Sequence, residues 1–155
     1  MNDYPSKFII TSGTGVSMWR LVSFDNALLS AGISNYNLVK VSSILPSGCK
    51  EQGSIDLQEG SLLAVAYSTI SSDVPGDMIA SAVAVGIPEN EQNVGVIMEY
   101  VGHHDSKTAE LYARMMVQEA MQNHEIPYKR ILSSSAEAIV GDDGFSTVVS
   151  ALAFW

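Results

Sequence analysis

Short apolar runs rich in Val and Ile recur along the chain: Phe8 to Ile10, Asn37 to Ile44, Ser61 to Ile70, Met78 to Ile87, Val94 to Tyr100, Arg130 to Val140 and Ser146 to Trp155. Gly, Pro, Asn and Ser bound them, and such runs predict strands. Leu62 to Tyr67 and Ala80 to Gly86 are apolar at successive positions, so both faces of those strands are buried between two layers. A helical period replaces this pattern from Ser106 to Asn123, behind an N-cap at Asp105 or Ser106. There Ala109, Tyr112, Ala113, Met116, Val117, Ala120 and Met121 form an apolar stripe, with Lys107, Glu110, Arg114, Gln118 and Gln122 opposite, and Pro127 ends the region. A shorter helix is predicted from Asp25 to about Ala31, with the acid in its first turn and Gly32 closing it. Many strands with two interspersed helices predict an α+β fold, a layered αββα sandwich of largely antiparallel or mixed sheets flanked by helices.

Composition narrows the class. The chain has 155 residues, 46% of them hydrophobic and 16% charged, enough for one substantial core and a single domain over residues 1–155. No apolar stretch approaches the roughly 20 residues needed to span a bilayer. The N-terminal residues lack the basic and apolar regions of a secretory signal, so a cytoplasmic location and no membrane partner are expected. The one cysteine, Cys49, has no partner for an internal disulfide and no neighbouring zinc-ligand spacing; it reads as a small, partly buried turn residue. A net charge of −9 argues against nucleic acid, which needs a Lys/Arg surface, and suits a cationic small molecule, although acidity also serves solubility.

Nucleotide-binding glycine motifs, zinc-protease motifs and the nucleophile elbow of esterases are all missing from the sequence. Thr11-Ser12-Gly13-Thr14-Gly15 has a phosphate-cradle composition but is followed by neither a strong helix nor a lysine, and is read as a turn. His103 and His104 are adjacent, point in different directions and have no third ligand at a suitable spacing; they read as solvated residues before a helix rather than as a metal site. What remains unusual is Val41-Ser42-Ser43-Ile44-Leu45-Pro46, where two hydroxyl residues interrupt a β-branched strand just before a proline. By itself a Ser-Ser pair at a strand end is ordinary.

Its surroundings are not. Ser23 to Ile33, then Asn35-Tyr36-Asn37-Leu38-Val39-Lys40-Val41-Ser42-Ser43-Ile44-Leu45-Pro46, closely resemble the corresponding region of the pyruvoyl-dependent arginine decarboxylases. Ile70 to Gly76, Ile79 to Pro88 and Ile97-Met98-Glu99-Tyr100 look like that family's next blocks in the same order, so the likeness covers most of residues 20 to 101. Decarboxylating an α-amino acid leaves an electron pair on Cα that no ordinary side chain accepts at neutral pH, so an electron sink is required. The resemblance implies a self-processing enzyme that makes L-arginine into agmatine and CO2 through a Schiff base on a covalent pyruvoyl group, with neither metal nor pyridoxal phosphate.

In the family a serine hydroxyl attacks the preceding peptide carbonyl, and ester formation, β-elimination and hydrolysis follow. Carried onto this chain, Ser43 is the pyruvoyl precursor and Ser42 the new C-terminus, giving a β chain of residues 1–42 and an α chain of residues 43–155. Glu99 aligns with the active-site glutamate, a proton donor that needs burial to raise its pKa. Asn37 aligns with the active-site asparagine, and Asp25 with the acid facing the substrate guanidinium. Asn37 and Ser43 would lie roughly 20 Å apart on a straight strand. Asn37 and Asp25 are therefore expected to serve the Ser43 of a neighbouring protomer in a closed homo-oligomer, by family likeness a trimer or a dimer of trimers. Two alternatives stay open: decarboxylation of another amino acid such as histidine, against which Asp25 discriminates, and an unprocessed homologue acting as a non-catalytic oligomeric binding protein.

Overall fold

The computed structural model describes residues 3–155. Two sheets stack face to face, each with one helix on its outer side. In chain order the elements are β1 (Lys7–Ser17), α1 (Arg20–Ala31), β2 (Asn37–Lys40), β3 (Ile44–Leu45), β4 (Lys50–Glu51), β5 (Leu62–Ser72), β6 (Met78–Pro88), β7 (Gly95–Gly102), α2 (Ser106–Asn123), β8 (Tyr128–Ile139) and β9 (Phe145–Phe154). The first sheet, in the order β2-β5-β9-β1-β4, is mixed: β9 runs antiparallel to β5 and β1, while the short β2 and β4 pair parallel at the two edges. The second, in the order β3-β7-β6-β8, is antiparallel throughout. The expected αββα sandwich is what forms.

Three apolar layers follow from period-two alternation along these strands. Ile9, Leu63, Val65, Val149 and Ala151 pack beneath α1 through Ala27, Leu28 and Ala31. Phe8, Leu45, Ala66, Val83, Ile97 and Leu152 fill part of the gap between the sheets. Ala80, Ala82, Ala84 and Val96 meet α2 through Ala109, Ala113, Val117 and Met121. A serine seam also bridges the sheets. Ser12 Oγ on β1 lies 2.7 Å from Ser134 Oγ on β8, Ser68 Oγ on β5 lies 2.8 Å from Ser81 Oγ on β6, and Ser150 Oγ donates to the Ser81 carbonyl at 2.9 Å. No buried side-chain polar atom among the described residues lacks a partner, which is how hydroxyls are tolerated there.

Four local readings change. The Thr11 to Gly15 segment is no turn but the middle of β1, in antiparallel register with β9. Its glycines let α1 approach, because a Cβ on Gly13 would stand 2.4 Å from the Ala27 carbonyl oxygen and one on Gly15 2.3 Å from that of Ser23. The first helix begins at Arg20, so Asp25 sits in its second turn, away from the N-terminal dipole; Gly32 closes it at φ 80° as expected. Glu110 and Arg114 face β8 rather than solvent: Arg114 donates to the Ile131 carbonyl and to Ser133, and Ser133 and Ser135 donate to Glu110. Tyr112, assigned to the core stripe, is 38% exposed. Asp105 is the N-cap of α2, accepting from Thr108 N–H at 2.7 Å.

Candidate active site

The run predicted as one strand from Asn37 to Ile44 is broken, and the break is where the paired serines lie. Residues Asn37 to Lys40 belong to the first sheet, paired with Leu62 to Val65, and the Val41 N–H still donates to the Val65 carbonyl at 3.0 Å. Ile44 and Leu45 belong to the second sheet, opposite Val96 and Gly95, and the Ile97 N–H donates to the Ser43 carbonyl at 2.8 Å. The Ser42–Ser43 peptide is thus the crossing between the two layers, with Ser42 exposed and Ser43 half-buried.

A tight turn bends the chain there. The Ile44 N–H donates to the Ser42 carbonyl at 3.1 Å, an i to i+2 closure centred on Ser43. Ser43 is not among the residues with positive φ, so the turn is of the inverse, unstrained kind. The carbonyl so engaged is the one that a Ser43 hydroxyl must attack for the chain to cleave itself, and a donor aimed at it stabilises the negative charge that attack creates.

Continuing the β3–β7 register by one residue sets Ser43 opposite Ile97, the pair that their hydrogen bond marks. Glu99 is then the diagonal neighbour, about 7–8 Å away between Cα atoms, and shares the inter-sheet face with Ile97. Val83 stands opposite Glu99 on β6. Burial in these surroundings pushes the Glu99 carboxyl above its ordinary value, opposed by the positive charge of Lys40 and by a backbone hydrogen bond. Lys40 itself lies on β2, with Nζ 4.7 Å from the centre of the Tyr67 ring. The inference from apolar neighbours to a raised carboxyl therefore holds in direction.

The other two predicted residues are not brought to Ser43. Asn37 begins β2, roughly 13 Å of extended chain before Val41, and its side-chain amide donates to the Gly60 carbonyl at 2.8 Å. Asp25 is exposed on α1 and accepts from Ser34 Oγ at 2.6 Å. One protomer thus holds Ser42, Ser43 and Glu99 near one another and Asp25 and Asn37 elsewhere. The premise of a straight strand from Asn37 to Ser43 is corrected by the crossing, which bends the path after Val41.

The histidines divide: His103 Nδ1 lies 3.1 Å from Asp77 Oδ1, and His104 stacks on Tyr100. No group of three or more His, Cys, Asp or Glu side chains suited to a metal ion occurs among the described residues. Cys49 is partly buried, its thiol pushed up to about 11 by desolvation, which leaves it a poor nucleophile. The Ile44 N–H was not foreseen from sequence, since no residue type signals it. Sequence alone gives no basis for choosing among Lys40, Glu51, Asp56 and Glu59 as a charge that tunes the site; the place of Lys40 over the Tyr67 ring comes from the structure.

Comparison with known proteins gives the family. The family model for pyruvoyl-dependent arginine decarboxylase matches residues 7–155. The chain is 36% identical over 152 residues to the pyruvoyl-dependent arginine decarboxylase of Pyrococcus abyssi, covering 97% of this chain and 96% of that one. It is 36% identical over 148 residues to that of Methanocaldococcus jannaschii, covering 96% and 90%. Among solved structures, a pyruvoyl-dependent histidine decarboxylase at pH 8 shares the fold at a TM-score of 0.52 and 12% identity, over 64% of this chain and 52% of its own. A match over nearly the whole sequence, with a twin-serine crossing beside a glutamate of raised pKa, leaves one assignment: the chain belongs to the pyruvoyl-dependent arginine decarboxylase family.

Proposed function

We propose that this protein cleaves itself between Ser42 and Ser43 and decarboxylates L-arginine to agmatine and CO2, in the cytoplasm. The observation that carries the reading is the turn at Ser43, in which the carbonyl to be attacked already accepts the Ile44 N–H. Attack by Ser43 Oγ replaces the Ser42–Ser43 amide with an ester. Elimination across Cα–Cβ of residue 43 then releases Ser42 as a carboxylate, and hydrolysis of the dehydroalanine releases ammonia. Because Val41 and Ser43 are anchored in different sheets, the bond parts without removing a strand from either.

The ketone of a pyruvoyl group at position 43 supplies the acceptor for the electron pair left when the substrate carboxylate departs. The remaining work falls to side chains. Glu99, whose carboxyl burial raises above its ordinary value, delivers a proton to the substrate Cα after CO2 leaves. Asp25 accepts a bidentate pair from the substrate guanidinium, and the Asn37 amide donates to the substrate carboxylate or to a developing oxyanion. Neither reaches Ser43 within one protomer, so both act on the site of a neighbour, which requires a closed homo-oligomer, a trimer or a dimer of trimers.

Carbon dioxide release from a panel of amino acids tests the reading, with Ser43→Ala as control. Arginine alone should be turned over, and the control should be inert. Turnover of histidine in preference to arginine would transfer the chemistry to another substrate, and no turnover in a cleaved preparation would contradict it.

A further inference from the structure

Asp25 and Asn37, the two predicted residues that stand apart from Ser43, are both tied to the short connection between α1 and β2. Asn37 ends that connection, and its side-chain amide donates to the Gly60 carbonyl at 2.8 Å. Ser34, within it, donates through Oγ to Asp25 Oδ1 at 2.6 Å. Ser34 is the one side chain among the described residues that bonds the Asp25 carboxylate. Leu21 and Leu29, one turn to either side on α1, are exposed and have no hydrogen bond to give. The ion pairs of the described residues go to other acids: Asp56, Glu91 and Asp77.

The backbone that carries this hydroxyl is anchored before and after it. Ile33 is fully buried, and its N–H donates to the Leu28 carbonyl at 3.0 Å. Asn35 accepts the Gly60 N–H on its carbonyl at 2.7 Å and donates from its side chain to Glu59 Oε1 at 2.9 Å. Gly60 makes that contact at φ 88°, a left-handed conformation that glycine adopts at no steric cost. Ser34 is therefore a fixed point, whereas the Asp25 carboxylate, exposed on its helix, ends in a torsion that is intrinsically broad and two-fold. A hydrogen bond to one oxygen sets its plane. That plane matters to a guanidinium, whose rigid fork pairs two N–H groups with a carboxylate only when the two are coplanar. It matters little to an ammonium, a point charge with rotatable donors. A carboxylate has about four acceptor sites, so the one taken by Ser34 leaves enough for the fork.

We propose that Ser34 is a positioning residue for substrate choice: its hydroxyl sets the plane of the Asp25 carboxylate so that the neighbouring protomer's site takes the guanidinium fork of arginine in preference to an ammonium. The inference rests on reading Asp25 as the guanidinium acceptor, and the two are tested separately.

The test is steady-state kinetics of the processed enzyme, with arginine as substrate and lysine as competitor. Ser34→Ala should leave cleavage at Ser42–Ser43 and kcat as in the parent and raise KM for arginine by about 3- to 10-fold, the range of one ordinary hydrogen bond. The inhibition constant of lysine should change by less than about twofold, because an ammonium does not read the carboxylate plane. Ser34→Thr, which keeps the hydroxyl, should restore the parent KM. Added to Asp25→Ala, Ser34→Ala should cost nothing further, since no carboxylate is left to orient. An unchanged KM in Ser34→Ala, an equal loss for arginine and lysine, or a full Ser34→Ala penalty in the Asp25→Ala background overturns the proposal. If Asp25→Ala keeps the parent KM, the reading of Asp25 fails and this inference falls with it. A raised KM in Asp25→Ala beside an unaffected Ser34→Ala removes Ser34 alone.

Discussion

Val41 and Ser43 are two residues apart and belong to different sheets: the Val41 N–H is bonded to Val65 in the first, and the Ser43 carbonyl to Ile97 in the second. The peptide between Ser42 and Ser43 is therefore bridged rather than paired, which no residue inside a continuous ladder can be. On the N-terminal side β1 keeps ten register pairs with β9, from Phe8 to Ser17, so residues 1–42 remain woven into the first sheet after a break.

Replacing Glu99 with glutamine should leave cleavage at Ser42–Ser43 intact and lower kcat for arginine by about 10²- to 10⁴-fold, the usual worth of a positioned proton donor. Steady-state assays on processed protein check this. A loss of cleavage instead would place Glu99 in processing rather than turnover.

The same substitution should stabilise the fold at neutral pH. Burial raises the Glu99 carboxyl in the folded state, so the unfolded chain ionises first and stability is lost as pH rises from the ordinary value of 4.5 through the folded-state value. Below that window both states hold the proton and nothing is lost. Glu99→Gln should therefore melt above the parent at pH 7 and coincide with it near pH 4, as read by thermal unfolding at both values. An equal gap at both would contradict burial as the cause.

Asp25 tests substrate choice. Asp25→Asn keeps the shape and the contact with Ser34 but removes the charge. Losing a charged hydrogen bond worth about 1.5–3 kcal/mol should lower kcat/KM for arginine by about 10- to 100-fold, mostly through KM. Unchanged KM would remove Asp25 from the pocket.

Gly13→Ala should destabilise the protein by about 1–3 kcal/mol or more, because its Cβ would meet the Ala27 carbonyl oxygen and Ala31 nitrogen, backbone atoms that cannot swing aside. Urea unfolding measures it.

Most of the layering was legible in the sequence because burial writes itself as apolar pattern: Ala80 to Gly86 looks two-sided and is, and so is Leu63 to Ala66, while Leu62 at the start of that run is 49% exposed. The Gly13 and Gly15 strand was mistaken for a turn because glycine's signal is the same whether it supplies φ freedom or room for a helix. The five-serine seam was missed, since its hydroxyls look polar until partners across the gap satisfy them. At the site, Ser43 and Glu99 were readable by resemblance, and their nearness required the sheet-to-sheet crossing. The donor of Ile44 is a backbone group, so it leaves no motif.

Denaturing intact-mass analysis of freshly purified protein, beside native gel filtration, tests the central claim most directly. The account predicts two polypeptides, residues 1–42 and residues 43–155, the longer one refractory to N-terminal sequencing, travelling together until denatured. One uncleaved chain of 155 residues with an unaltered serine at position 43, still releasing CO2 from arginine, would contradict it.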